Sequence, residues 1–417
     1  MQPLLLLALG MILSFGPDTT LPTLPAQTEW PACAAGPEPA ASAICLNQSA
    51  LEMERRGDLA GASRMLEQAR RLWTRDPAPP EVLRATILTN LGETLEELGR
   101  WRESRQCFED AMSIYQTALG RSDVHTASAM VRLATMEMML GNTPRAEELL
   151  DAALPVERNA MPGSARELAA ALSFTAMFTL QRGEAAAAED LAQEGIAASG
   201  SESKESPEYA ASLTTLAGVY IVEHDLTRAT PLLNRAIDIL ERRLGTDHPR
   251  LAPVLMDRAM IYQGEKKTSL AETDGERAVA ILCRESGPDS ISAIWAKTRL
   301  SGIYLDEGKT TEAEAILPGA VERQRRFYDK PNWRVAASIG ELGRLRAAEA
   351  RTDEADTLYR ESLAMFESVA PNNPEAARTM RRYAELLKSQ RGSKREIRRL
   401  MARANSILTT GNTLLAR

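Results

Sequence analysis

Apolar residues recur along most of the chain with the period of an α-helix. Leu213, Leu216 and Tyr220, for example, follow the i, i+3 and i+4 spacing that places side chains on one helical face. Between such stretches lie short polar segments rich in turn-forming residues, as at 244–249 and 286–290. No stretch of useful length shows the alternation typical of a half-buried β-strand. The pattern therefore predicts an all-α fold.

The helical pattern itself repeats. Steps of 42 residues from Gly57, with one step of 41, lead to positions that are mostly glycine. These nine positions, which we call the turn markers of repeats one to nine, are Gly57, Gly99, Gly141, Gly183, His224, Lys266, Gly308, Ala350 and Gly392. Glycine ends a helix readily because it tolerates a left-handed backbone. We therefore expect one helix before each marker and a second helix after it.

Small residues also recur around the markers. Seven residues before the marker stand Ala50, Gly92, Ala134, Ala176, Ala217, Ala259, Ser301, Gly343 and Glu385. Five residues after it stand Ala62, Ser104, Ala146, Ala188, Ala229, Ala271, Ala313, Ala355 and Ile397. Twelve residues after it, every repeat has Ala, Gly or Ser. Small side chains at fixed positions indicate helices that cross with their backbones close together.

These positions, together with the Leu-Gly-Thr-Asp-His-Pro linker at 244–249, resemble the tetratricopeptide repeat family, and in particular its 42-residue branch typified by kinesin light chains. The resemblance implies a right-handed superhelical solenoid of about nine antiparallel helix pairs over residues 44–412. It also implies a protein or peptide partner held in a concave groove that the first helices line. It does not name that partner, because the fold serves many unrelated assemblies.

The resemblance further implies which residues line the groove. In repeat two these include the acidic residues Glu93, Glu96 and Glu97, and in repeat eight Arg344. The implied partner-binding residues are Val131, Thr135, Met138, Met139, Met177, Leu180, Ile221, Val222, Met256, Met260 and Arg344. An exposed apolar strip in the middle of the groove would suggest a partner that covers it. Two alternatives are that tight superhelical closure buries the strip, or that the register is shifted by one residue.

The charge is unevenly distributed. The chain carries a net charge of −7, which argues against nucleic acid as the main partner. Residues 375–417, however, contain 11 Lys or Arg and only 3 Asp or Glu. This basic C-terminus is interpreted either as the polar outer face of a capping repeat or as a docking surface for an acidic partner or an anionic membrane.

The N-terminus is apolar from Leu4 to Phe15, a run too short to span a bilayer as a helix. It fits a signal peptide over residues 1–26, followed by a Pro/Ala-rich linker at 27–43, although no Lys or Arg precedes the run. The alternative is an apolar N-terminus that stays in the cytoplasm. If the protein is exported, Cys33 and Cys45 can pair. Residues 413–417 are left as a short tail.

No catalytic pattern is present. The chain has three histidines, and it lacks the spacings of metal sites, nucleophile elbows and phosphate-binding loops. We therefore expect no enzyme activity, no cofactor and no metal. The favoured hypothesis is an exported scaffold that binds a partner protein. The alternatives are a cytoplasmic regulatory module that acts on a signalling or transcription partner, and a subunit that assembles with itself through its end repeats.

Overall fold

A computed structural model describes residues 39–72, 80–160, 165–181, 184–223, 225–328 and 330–410, and the structural statements below concern these residues. The predicted signal peptide, most of the linker and the tail lie outside them, as do the turn markers Gly183 and His224.

The described residues form eighteen α-helices and no strand, so the predicted all-α solenoid of helix pairs is confirmed. The helices are α1 (Pro39–Arg55), α2 (Leu59–Leu72), α3 (Glu81–Glu97), α4 (Trp101–Ala118), α5 (Val124–Met139), α6 (Thr143–Asn159), α7 (Ala165–Gln181), α8 (Ala185–Glu202), α9 (Pro207–Val222), α10 (Leu226–Leu244), α11 (Leu251–Gly264), α12 (Thr268–Glu285), α13 (Ile291–Asp306), α14 (Thr310–Phe327), α15 (Trp333–Ala348), α16 (Thr352–Val369), α17 (Pro374–Ser389) and α18 (Lys394–Thr410). Odd-numbered helices are the first helices of the nine repeats. The first begins at Pro39, slightly before the predicted start at residue 44, because proline suits the first turn of a helix and alanines follow it.

The described turn markers adopt the left-handed backbone, with one exception. Lys266 and Ala350 have φ values of 60° and 61° although neither is glycine. In the last repeat the left-handed residue is Arg391, with φ 53°, one residue before the predicted Gly392. The repeat spacing is therefore kept to within one residue even where the glycine is lost or displaced.

The small positions lie where two helices of a repeat touch. A Cβ atom on Gly92 of α3 would stand 2.7 Å from the Phe108 ring of α4. Ser104 of α4 is fully buried and donates a hydrogen bond of 2.7 Å to the Gly92 carbonyl oxygen. Larger side chains at these positions would push the two backbones apart, which explains the repeated Ala, Gly and Ser.

The first and second helices differ in burial. The second helices are amphipathic, with one face against the core and the other exposed to solvent, as α10 shows. The first helices are buried on nearly all sides; in α9 every residue from Ala210 to Ile221 is buried. The chain therefore coils so tightly that the first helices form the centre of the molecule.

Contacts between distant repeats close the coil. The turn regions of repeats one to three touch the segments that begin repeats six to eight. His248 Nε2 lies 3.2 Å from the Glu54 carbonyl oxygen, and the Ser286 hydroxyl donates to the Glu97 carbonyl oxygen at 3.0 Å. The Trp101 ring packs edge-on against Phe327, with centroids 5.7 Å apart. Each turn of the superhelix thus rests on the next.

Candidate partner-binding site

The predicted groove residues lie on the first helices, but they do not form an exposed strip. Met138 and Met177 are each only 5% exposed, and Met256 is 3% exposed. Of the eleven residues, only Val222 and Arg344 are half-buried, and the others are buried. The expectation that these side chains contact solvent in the free chain is therefore wrong, and the alternative of tight superhelical closure applies. Their role in partner binding stays a prediction.

The methionines are covered by residues from the other end of the solenoid. Val131, Met138, Met139 and Met177 share one apolar cluster with partners from repeats seven and eight, which are Val321, Tyr328, Val335 and Ile339. The Arg334 guanidinium also donates a 3.0 Å hydrogen bond to the sulfur of Met139. Leu180, Ile221 and Met256 belong to a second cluster, built from repeats four to seven. Met260 packs with Trp295 in a third.

Carboxylates are buried at the N-terminal end of this interior. Glu93 forms an ion pair of 2.9 Å with Arg132, and the Thr94 hydroxyl donates to Glu54 at 2.5 Å. Even so, one side-chain oxygen of Glu54, one of Glu93 and both of Glu96 have no hydrogen-bond partner. Burial raises the pKa of Glu93 to about 7, although Arg132 and Arg250 lower it. Burial likewise raises the pKa of Glu96 to about 8.

A cavity of about 400 Å³ opens beside this acidic end, between repeats one and two on one side and repeats four to six on the other. Its wall carries charges of both signs, including Glu54 and Arg250. The lining residues are Leu51, Glu54, Arg55, Glu97, Arg166, Ser203, Glu205, Ser206, Pro207, Glu208, Arg243, Leu244, His248 and Arg250. Burial lowers the pKa of His248, which favours its uncharged form. Its contact with the Glu54 carbonyl oxygen joins repeats one and six.

Arginines dominate the other end of the interior. Arg344 pairs with Asp306 and lies 3.6 Å from Glu341. Burial alone would raise the pKa of Glu341, but Arg382 and Arg344 lower it to about 2. Arg299 is buried 4.0 Å from Glu375, and burial lowers its pKa to about 9. The interior therefore grades from carboxylates, through methionines, to arginines.

Sequence reasoning missed several of these ionisable side chains, among them Glu54, Arg132, Arg299, Glu341 and Glu375. All five lie on first helices. Their signal in the sequence was a charged residue within a predicted first helix, a feature shared by exposed residues such as Glu385. That signal has meaning only once the first helices are known to be central.

The other groups that could support chemistry are possible metal ligands and the cysteines. In the described part of the chain no cluster of His, Cys, Asp and Glu could hold a metal ion. Burial raises the pKa of the Cys107 thiol to about 12, so it is an unreactive core residue. Cys107 and Cys283 are free thiols, whereas Cys45 is disulfide-bonded. Cys33, the partner considered for Cys45, lies outside the described residues.

Two solved structures resemble parts of the chain. The BtubC (BKLC) structure from P. vanneervenii is 17% identical and covers 49% of this chain and 82% of its own, with a TM-score of 0.39. A putative kinesin light chain with nearly identical TPR-like repeats from Podosopora anserina is 20% identical and covers 50% of this chain and 98% of its own, with a TM-score of 0.35.

A Rap protein, solved in complex with the Competence and Sporulation Factor, resembles a larger part of the chain. It is 14% identical and covers 84% of this chain and 98% of its own, with a TM-score of 0.52. At this identity the likeness concerns the fold alone. No curated protein sequence matches the chain significantly. None of the described helices is both long and apolar enough to cross a membrane.

The sequence model of the tetratricopeptide repeat matches residues 41–117, 208–284 and 291–368, which together make up more than half of the chain. These matches fall on helix pairs with the marker spacing and small positions described above. The protein therefore belongs to the tetratricopeptide repeat family.

Proposed function

We propose that the protein is a non-enzymatic scaffold that binds a segment of a partner protein inside its superhelix. The observation that carries the proposal is the set of buried carboxylate oxygens of Glu54, Glu93 and Glu96 that have no hydrogen-bond partner. Leaving a buried polar group unpaired costs free energy, and a core built only for stability would have apolar residues there. A bound polypeptide can supply the missing donors from its backbone N–H groups.

The Rap protein with a similar fold was solved in complex with the Competence and Sporulation Factor, which supports a partner-binding role for a solenoid of this kind. In this chain the interior is closed, so a partner has two routes. It can enter the 400 Å³ cavity beside Glu54 directly. It reaches the predicted residues Met138, Met177 and Met256 only after the contacts between repeats one to three and six to eight have separated.

The test uses a variant that should leave the fold intact. Glu96→Leu removes both unpartnered oxygens, and the exposed Glu148→Leu on α6 is the matched control. Partners are first captured from native extract with the unchanged chain and identified by mass spectrometry. Their binding to the purified variants is then measured by titration calorimetry.

We expect Glu96→Leu to unfold at the same temperature or higher, and to bind the partner at least about tenfold more weakly. Glu148→Leu should bind normally. If the Glu96→Leu protein is more stable and still binds the partner with full affinity, the binding site does not lie in the interior.

We also propose that the protein is exported. The support is the apolar run from Leu4 to Phe15 and the disulfide-bonded Cys45, since disulfides persist in oxidising compartments. N-terminal sequencing of the protein from its native host tests this. A mature chain that begins near Gln27 supports export. A chain that retains residues 1–26 in the cytoplasmic fraction favours a regulatory module instead.

A further inference from the structure

Helix α18, the last of the described helices, presents a face rich in positive charge. Its exposed cations, which we call the terminal basic face, are Lys394, Arg395, Arg398, Arg399 and Arg403. The residues of α18 that turn inward, Leu400, Ala404 and Ile407, pack on the core of the last repeats. The basic face thus lies on the outside of the helix that ends the described solenoid.

These cations have no acidic partners within the described residues. Arg398 donates only to the Lys394 carbonyl oxygen, and Arg403 only to Asn372 and the Pro371 carbonyl oxygen. The one acid of α18, Glu396, is turned toward Arg360 of α16 at 3.3 Å. Exposed arginines elsewhere on the surface, such as Arg325 and Arg326, are paired with glutamates.

Capping a solenoid does not by itself require this arrangement. A polar face of mixed charge keeps an end repeat soluble, as the paired arginines of the convex surface illustrate. Moreover, Lys394 and Arg395 stand in the first turn of α18, where the helix dipole favours acids. The sequence thus concentrates one sign of charge at a place where folding gains nothing from it.

The chemistry of the face favours lipid over protein as its occupant. α18 contains no aromatic residue, whereas protein interfaces are usually anchored by Trp or Tyr together with Arg. Long cationic side chains around the exposed Met401, which is 36% exposed, suit a surface of diffuse negative charge. We infer that the terminal basic face docks the solenoid on an anionic lipid surface.

The test is co-sedimentation of the full chain with vesicles of equal parts phosphatidylglycerol and phosphatidylcholine, compared with phosphatidylcholine alone. The test variant is Arg395→Glu with Arg398→Glu and Arg399→Glu. The control carries the same change of charge on α14, as Arg323→Glu, Arg325→Glu and Arg326→Glu. The apolar N-terminal run is present in all three proteins, so any binding through it is common to them.

We expect the unchanged chain and the α14 control to bind the anionic vesicles, and the α18 variant to bind about tenfold or more weakly. Higher ionic strength should weaken the binding of the unchanged chain. Circular dichroism should show that the α18 variant is folded. Equal sedimentation of all three proteins, equal binding to both kinds of vesicle, or binding to polyglutamate but not to anionic vesicles would overturn the inference.

Discussion

At the scale of single residues, the fold depends on positions where only a small side chain fits. On α8, Ala188 is completely buried in the apolar cluster built from repeats four to seven, while its neighbour Ala187 is exposed. The two alanines lie on the same helix, but Ala188 faces the apolar core and Ala187 faces solvent. They therefore allow packing to be separated from helix propensity.

We expect Ala188→Leu to lower the free energy of unfolding by about 1–3 kcal/mol, because added methylene groups must enter a filled core. Ala187→Leu should change it by less than about 0.5 kcal/mol. Urea denaturation followed by circular dichroism measures both. Similar losses for the two variants would contradict the assignment of the small positions to helix contacts.

Buried carboxylates should give the stability an unusual pH dependence. Burial raises the pKa of Glu96 and of Glu157 to about 8, from a value near 4.5 in the unfolded chain. The folded state therefore binds more protons than the unfolded state between these pH values. Stability is then highest when these groups are protonated and falls as they ionise.

We expect the free energy of unfolding to decrease as the pH rises from about 6 to 8, by up to about 1.4 kcal/mol per pH unit for each such group. Glu96→Gln should reduce the slope, whereas Glu148→Gln, which changes an exposed residue, should not. Denaturation series at several pH values measure the slopes. A stability that does not fall with pH over this interval would contradict the raised pKa values of these carboxyl groups.

At the scale of helices, each repeat needs a residue with positive φ between its two helices. Glycine occupies this position in several repeats, but Ala350 holds it with φ 61°. An L-residue with a side chain is strained in this conformation, whereas glycine is not. Gly308 occupies the equivalent turn with φ 75°, and nothing lies within 4 Å of where its Cβ would be. Exchanges at these two positions therefore test the backbone alone.

We expect Ala350→Gly to raise the free energy of unfolding, or leave it unchanged, and Gly308→Ala to lower it by about 1 kcal/mol. Thermal unfolding of the two variants beside the unchanged chain provides the measurement. If both changes destabilise the protein equally, side-chain contacts at the turns outweigh the backbone strain.

At the scale of the whole molecule, closure of the coil determines which surfaces are free. Trp101 is 4% exposed and packs on Phe327 and Tyr328, at the junction between repeat two and the end of repeat seven. Its partners lie more than two hundred residues away in sequence. Removing the Trp101 side chain therefore weakens the contact that closes the coil. It affects the packing within the individual repeats only indirectly.

We expect Trp101→Ala to cost about 3–5 kcal/mol and also to increase the radius of gyration of the folded protein. Phe366→Ala, in the core of repeats eight and nine, should cost a similar amount without expansion. Small-angle X-ray scattering below the unfolding transition distinguishes them. A Trp101→Ala protein with the dimensions of the unchanged chain would mean that other contacts keep the coil closed.

The repeat fold follows from the sequence alone, because the contacts that specify it are local. A marker such as Gly99 ends one helix, and Gly92 and Ser104 pack together only twelve residues apart. The same local pattern recurs in repeats one to eight, and only the last repeat departs from it, with Glu385 and Ile397 at two of the small positions. The sequence likewise places Glu93, Met138 and Arg344 on first helices, in that order.

Only the tertiary structure decides whether those first helices line an open groove or fill the interior. The reason is that a small rotation between successive repeats accumulates along a solenoid, and its sum sets the distance between repeats five apart. No short-range pattern encodes that sum. Arg334 consequently contacts Met139, and His248 contacts Glu54, although each pair belongs to repeats that are far apart in the sequence. These contacts bury the expected apolar groove as a core, with ionisable residues at both ends.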